Sequence, residues 1–384
     1  MKIVLAFGSL AADPDDGARW AWGLEHLFGF DALGHDVFWL ESLASSGDPA
    51  RDQHRIGTFL GRVKALGMEG RGALLLFDPA LSIDEWTVEA AQVCGTSKDR
   101  IRETTRSADL VWNLCGALRR PLLSLFRRRV LVDWDPGVLQ VSALARDPSI
   151  REHHVFLSVG AKIEDHDCEV PRLGLTWHRF TPFVYLPMWP VRADPGQHAP
   201  FTDVVHWSRG ELRLRDRTLS TGQRDGYLRY ADLPEQAKRP FELAARSLAK
   251  EASPDRERML GAGWTVVDAR EVAGTPDAYR TYIAQSRAQI ACPTPISREL
   301  KTGSLSDRSV RYLATGRPVL AEDTGFSEHL PTGQGLVGFR DIDEAREAVA
   351  DIDANYEQHS RAAREMAVEL FDARRCLQKM LSVC

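Results

Sequence analysis

The chain has 384 residues, 43% of them hydrophobic and 27% charged, which is the balance of a soluble globular protein with room for two or three domains. Its formal net charge of −5 gives no global basic field, so nucleic acid is not expected as a partner. No signal peptide or transmembrane segment is readable, and six cysteines without a C-x-x-C pair (Cys94, Cys115, Cys168, Cys292, Cys376, Cys384) read as reduced thiols, so a cytoplasmic location is expected.

Short apolar runs alternate with helical patterns along the chain, the signature of parallel sheets with crossover helices. Ile3–Phe7 reads as the first strand. Gly8 and Ser9 follow it, and a helix is predicted near Gly17–Leu33. These glycines lack dinucleotide spacing but leave room for a ligand to approach the backbone. "DVFWL", "ALLLF", "LVWNL", "RVLVD" and "HVFLSV" continue the series of strands. Pro182, Pro187, Pro190, Pro195 and Pro200 then break the chain, too often for a helix or a central strand. This stretch reads as a linker between two α/β halves. The second half repeats the pattern in "TDVVHW", "WTVVDA", "AQIAC", "RPVLAE" and "GLVGF". After Asp351, apolar residues at helical spacing (Met366, Leu370, Leu377, Leu381) predict one or two C-terminal helices packed on a sheet.

The stretch "SLSDRSVRYLATGRPVLAEDTGFSE", residues 304–328, places a cation oddly. Ser306 is a good N-cap, Asp307 and Ser309 add oxygens to the first turn, and Gly316-Arg317-Pro318 ends the helix. Arg308 therefore sits in the first turn, where the helix dipole disfavours positive charge by roughly 0.3–1 kcal/mol. Two readings are open. A phosphate expected at the same helix end would gain from the backbone donors and the guanidinium together. Alternatively, Arg308 pairs with Asp307, Glu299 or another surface carboxylate.

Asp133-Trp134-Asp135 fits the D-x-D pattern by which some glycosyltransferases hold a metal and a diphosphate. Pro136-Gly137 puts Asp135 at a strand's carboxyl end, on the edge that faces the ligand crevice in open α/β sheets. A lone carboxylate there is a candidate general base without metal; the plain alternative is an Asp-Pro-Gly turn. His206-Trp207-Ser208 ends the first strand of the second half, either touching phosphate, base or sugar or simply filling an interdomain seam. Gly333-Gln334-Gly335-Leu336-Val337-Gly338 matches G-x-G-x-x-G in letters only, because it runs into a strand and reads as a turn.

These stretches together resemble bacterial two-domain GT-B glycosyltransferases of the glycosyltransferase-like, or glycosyl transferase group 1, branch. "SDRSVRYLATGRPVLAEDTGFSEHLPTGQGL" (306–336) carries the resemblance most specifically. "VDWDPGVLQ" (132–140), "LGHDVFWLES" (33–42), "FTDVVHW" and "YADLPEQAKRPFELA" add to it. The resemblance implies two Rossmann-like domains facing a central cleft: an acceptor-side domain at 1–190, a nucleotide-sugar domain at 191–355, and a C-terminal helix at 356–384 packing toward the first. It implies metal-independent transfer of a sugar from a nucleotide-diphosphate donor to a hydroxyl acceptor. No cofactor is expected beyond the donor as substrate. The partners are the nucleotide sugar and a small-molecule or glycan acceptor, with homodimerisation left open. Ser306, Asp307, Arg308, Ser309, Lys301, Gly325, Phe326, His206 and Trp207 fall on the donor side. Gly8, Ser9 and Gly17 fall on the acceptor side, and Asp135 is the candidate base, with His178 and Asp36 behind it. One departure stands out. Many retaining relatives carry two glutamates eight residues apart, the later one holding the ribose; those positions here are Gly303 and Arg311. A nucleotide-sugar epimerase, which shares the GT-B architecture, and a catalytically silent nucleotide-binding protein, which the missing glutamate pair favours, are alternatives.

Overall fold

The computed structural model describes residues 1–8, 10–146, 149–250 and 253–384. In the first lobe β1 (Lys2–Phe7), β2 (Asp36–Ala44), β3 (Gly72–Phe77), β4 (Gln92–Cys94), β5 (Leu110–Leu114), β6 (Arg129–Asp133), β7 (Val155–Ser158) and β8 (Trp177–Arg179) form one sheet. Its order is β4-β3-β2-β1-β5-β6-β7-β8, parallel except for the β3–β4 pair. The second lobe begins with β9 (Phe201–Val205) and a separate hairpin, β10 (Glu211–Leu214) with β11 (Arg217–Ser220). It continues through β12 (Phe241–Ala245), β13 (Trp264–Val267), β14 (Ala288–Ala291), β15 (Val319–Glu322) and β16 (Leu336–Phe339). Six of these make a parallel sheet ordered β13-β12-β9-β14-β15-β16. Strands covered by helices on both faces must be apolar on both, which is why "KIVLAF" and "GALLLF" are unbroken hydrophobic runs.

Each sheet has a point where the strand order reverses: between β1 and β5 in the first lobe, and between β9 and β14 in the second. Crossovers leave in opposite directions there, so a crevice opens at the carboxyl ends of the strands. Gly8, Cys115 and Gly116 follow one switch point, and His206, Cys292 and Pro293 follow the other; all six line the same cleft.

The helix Gly17–Ala32, capped by Asp16, joins the lobes at close range. A Cβ on Gly17 would fall 2.1 Å from the Thr275 carbonyl oxygen, so backbone of the two lobes nearly touches there. The helix Ala373–Leu381 lies against the same helix: a Cβ on Gly29 would meet Leu377 at 2.5 Å. The C-terminal contacts are thus helix on helix rather than helix on sheet as the spacing suggested. Gly29 is the small residue that lets them approach. Among the described residues, no helix is long and apolar enough to cross a membrane.

Candidate functional site

The cleft between the lobes has a volume of about 920 Å³, within the range that takes a nucleotide-sized ligand. One wall is the N-terminus of the helix Asp307–Ala314. Ser306 caps it, its Oγ accepting the Arg308 N–H at 3.2 Å. Ser309 is buried and lines the cleft, and its Oγ has no hydrogen-bond partner among the described residues. A free hydroxyl at a helix N-terminus is a donor waiting for an acceptor.

Arg308 also lines the cleft, with its side chain 18% exposed. Its ion-pair partner is a buried acid rather than Asp307 or a surface carboxylate, although Asp307 adds to the field around it. Nε lies 3.5 Å from Oδ1 of Asp203, which is wholly buried on β9, and Nη2 donates to Gln223 Oε1 at 3.3 Å. Asp203 also accepts from the Tyr227 hydroxyl at 2.7 Å and from Gln289 Nε2 at 2.9 Å. Burial pushes the Asp203 carboxyl above its ordinary value, with Arg308 the main opposing influence. The cation in the first turn is therefore stabilised from below by a buried carboxylate. Nε makes no direct hydrogen bond.

Asp307 turns the other way, to Arg311 Nη1 at 3.0 Å. Burial alone would raise its pKa, but Arg311 and Arg308 hold it below the usual range. Arg311 is fully buried and faces the first lobe, where Glu25 meets it bidentately at 3.0 and 2.9 Å and takes a further bond from Trp189 Nε1. The position that would hold a ribose in retaining relatives is thus spent on an interlobe ion pair, and Arg311 is not part of the cleft wall.

Across the cleft stands Asp135, just past β6. Its Oδ2 takes Arg209 Nη1 at 3.1 Å from the second lobe. The side chain is 37% exposed and helps line the cleft. Burial by the surrounding protein raises its pKa, and Arg209 and Arg308 pull the other way. Asp133 is wholly buried and turned inward. It accepts from Gln140 Nε2 at 2.7 Å, from Ser158 Oγ at 2.8 Å and from the Asp135 N–H at 3.0 Å. Burial pushes its pKa up to about 6. The two carboxylates do not converge on a common point: one anchors the strand end, the other faces the cleft.

Of the other expected residues, Gly8, Phe326 and His206 line the cleft. His206 is pushed down to about 3 by burial, so its ring is neutral at ordinary pH. Trp207 is buried, donates to Asp255 Oδ2 at 3.1 Å, and lines only an adjoining chamber of about 210 Å³. Gly325 is left-handed (φ 100°) and is covered by the Lys162 side chain rather than open to the cleft. Lys301 is exposed and off the cleft wall. Gly17 is explained by the lobe contact, not by ligand approach. Ser9 lies outside the described residues. Asp36 begins β2, at the end of the sheet away from the cleft, and His178 does not line it either, so neither is placed to serve as a base. Sequence reasoning missed Arg209, Gln223, Asp203 and Glu322. Glu322 lines the cleft, paired with Arg229 at 2.7 Å through both oxygens.

Two Rossmann-like lobes closing a cleft at their switch points define the GT-B fold. The chain aligns along its full length with an α-glucosyltransferase solved with UDP (12% identity, TM-score 0.57, 99% of that chain covered). It aligns equally with Anabaena HepE solved with UDP and glucose (12%, TM-score 0.60, 100% covered). AviGT4, a glycosyltransferase involved in avilamycin A biosynthesis, is also similar (14%, TM-score 0.51, 96% covered, and all of this chain). The sequence profile of the family described as Glycosyl transferase-like matches residues 238–382. The match takes in the second lobe from β12 onward and the C-terminal helices, and the whole chain carries the fold. No curated protein sequence matches the chain.

Proposed function

We propose that the protein is a nucleotide-sugar glycosyltransferase acting on a hydroxyl acceptor. The observation that carries this reading is the opposition, across one cleft, of a helix N-terminus bearing Ser309 and Arg308 and a single carboxylate, Asp135. The donor diphosphate lies against the helix end, where backbone dipoles, the free Ser309 hydroxyl and the Arg308 guanidinium meet negative charge. The acceptor lies on the first lobe. Asp135 takes the proton from its hydroxyl, the oxygen's electron pair forms the new bond to the anomeric carbon, and the bond to the diphosphate oxygen breaks with inversion. The charge that develops on the leaving group is met by Arg308 and the helix end, so no metal is needed to hold it. The match of residues 238–382 to the glycosyl transferase-like family and the UDP-bound solved relatives support this reading. One solved relative also binds a 13-mer DNA. The acidic net charge of this chain favours a small-molecule or glycan acceptor instead.

Incubation with a panel of UDP-, GDP-, ADP- and TDP-sugars tests the reading. Slow release of nucleoside diphosphate from one donor, with EDTA having no effect, is expected. An isomerised donor would mark an epimerase, and binding without turnover a silent nucleotide-binding protein.

A further inference from the structure

The hairpin β10–β11 is not part of either sheet. It leaves β9 through His206–Arg209 and returns through Thr221–Gln223, so both of its stems line the cleft. A two-stranded hairpin alone is marginal in water and needs a surface to lie on. This one finds much of it on the opposite lobe. Leu214 and Leu219 are buried in a cluster with Leu131, Val141, Phe156 and Trp177 of the first lobe. At the tip, Arg217 reaches Glu169 at 2.9 Å. Ile296 and Leu300 of the second lobe join the same cluster, so the hairpin belongs to the second lobe by connectivity and packs against both. It holds Arg209 with Nη1 3.1 Å from Asp135 Oδ2.

We infer that Arg209 is the positioning residue of Asp135, and that the hairpin is the arm that carries it across the cleft. This rests on Asp135 being the acceptor base. Among the charged and titratable groups that face Asp135 (Arg209, Arg308, Asp307, Asp133 and Cys115), only Arg209 makes an ion pair with it. Arg308 is held by Asp203 and Gln223, and Asp307 by Arg311. Asp133 donates nothing, because its oxygens are acceptors that hold the Asp135 backbone N–H. Arg209 occupies Oδ2 only, and Oδ1 accepts no hydrogen bond among the described residues. One oxygen is thus clamped and the other is presented to the acceptor. The clamp also works against the burial that would protonate Asp135 and silence it as a base. In turnover the acceptor proton passes to Oδ1 while Arg209 stays charged on Oδ2.

The test uses the full chain with the donor found in the panel. Arg209 is 42% exposed, so Arg209→Gln and Arg209→Lys are expected to fold. In Arg209→Gln the acid limb of kcat/KM should move to higher pH, UDP affinity by calorimetry should stay within about twofold of wild type, and Arg209→Lys should restore part of the limb. Glu169→Gln, which loosens the hairpin tip without touching the cleft, should move the limb in the same direction by less. A ¹³C-carboxyl titration of Asp135, assigned by its loss in Asp135→Asn, reads the same shift without turnover. An unmoved limb and titration in Arg209→Gln overturns the inference. If UDP affinity also falls about tenfold or more, Arg209 is a phosphate ligand instead. Full activity in Asp135→Asn would remove the base itself, a failure of the underlying reading and distinct from an unmoved limb.

Discussion

Replacing Arg308 by alanine separates its two roles. Toward the cleft, the loss is a charge-assisted hydrogen bond to the diphosphate, about 1.5–3 kcal/mol, or roughly 10- to 150-fold in UDP affinity. Toward the interior, the loss is a partner for Asp203, which is wholly buried. Breaking a fully buried pair typically costs about 3–5 kcal/mol. Here the cost is reduced, because the contact is 3.5 Å long and Asp203 keeps Tyr227 and Gln289. About 1–3 kcal/mol of stability is expected to go, the range for an under-satisfied buried polar group. The double variant Asp203→Asn/Arg308→Ala resolves the two. A neutral amide in place of the buried carboxylate needs no counter-charge. The amide oxygen can keep Gln289, and the amide N–H can donate to the Tyr227 hydroxyl, which already has the Ile290 carbonyl 3.0 Å away to receive its own proton. The double variant should recover most of the stability in urea melts and none of the UDP affinity by calorimetry. If Arg308→Ala binds UDP as tightly as wild type, Arg308 serves only as the counter-ion of Asp203, and the diphosphate reading of the helix end is wrong.

Asp135→Asn should lower kcat by about 10²–10⁴-fold with UDP affinity nearly intact, measured by nucleotide release and calorimetry; unchanged kcat would leave the base unassigned. Asp133→Asn should leave chemistry in place but cost about 1–3 kcal/mol in urea melts, because an amide N–H then meets one of its three donors. The same group sets a pH dependence. Its folded pKa of about 6 lies above the unfolded value near 3.9, so the folded state binds the extra proton between them. Stability should therefore fall as pH rises from about 4 to about 6, by roughly 3 kcal/mol from this group, and Asp133→Asn should flatten that part of the profile. Lys162, nearly buried in the first lobe, reaches Glu328 of the second at 2.7 Å. Lys162→Met should loosen the cleft, read as a larger radius of gyration in X-ray scattering without UDP; an unchanged radius would show that the other lobe contacts suffice.

The legible parts of the sequence were those where local chemistry alone decides. Unbroken apolar runs marked most of the parallel strands, because a strand covered on both faces has no alternative composition. Ser306 and Gly316 marked the ends of one helix through their capping chemistry. β12 escaped, since "FELAA" is rich in good helix formers and only its place between β9 and β13 makes it a strand. The hairpin did carry a signal in the alternation of Leu212 and Leu214 before an Arg-Asp turn, but nothing local says that it lies on the other lobe. The site was half legible. Arg308 stood out as a cation at the wrong helix end, whereas its partner Asp203 looked like one more residue of a strand. Arg209 and Asp135 are 74 positions apart, and Arg311 and Glu25 are 286 apart. Such pairs exist only once two lobes have closed on each other.

Arg311 shows what that closure does to the helix Asp307–Ala314. A fully buried guanidinium is tolerable only when paired and hydrogen-bonded. Within its own helix it has Asp307, one turn back, but that contact uses only one edge of the fork. Glu25 fills the other edge, itself held by Trp189 from the segment between the lobes. Burial pushes the Glu25 carboxyl up, and Arg311 in contact with it pulls the other way. The consequence is mechanical. The helix whose N-terminus lines the cleft is fixed at its second turn by a residue of the first lobe and at its first turn by Asp203 of its own sheet. Two arginines, three residues apart, thus point one charge into the cleft and one into the seam. The one in the cleft can stay beside a helix N-terminus because a buried carboxylate lies beneath it. That arrangement leaves the Ser309 hydroxyl without a protein partner among the described residues, open to an anion arriving from the cleft.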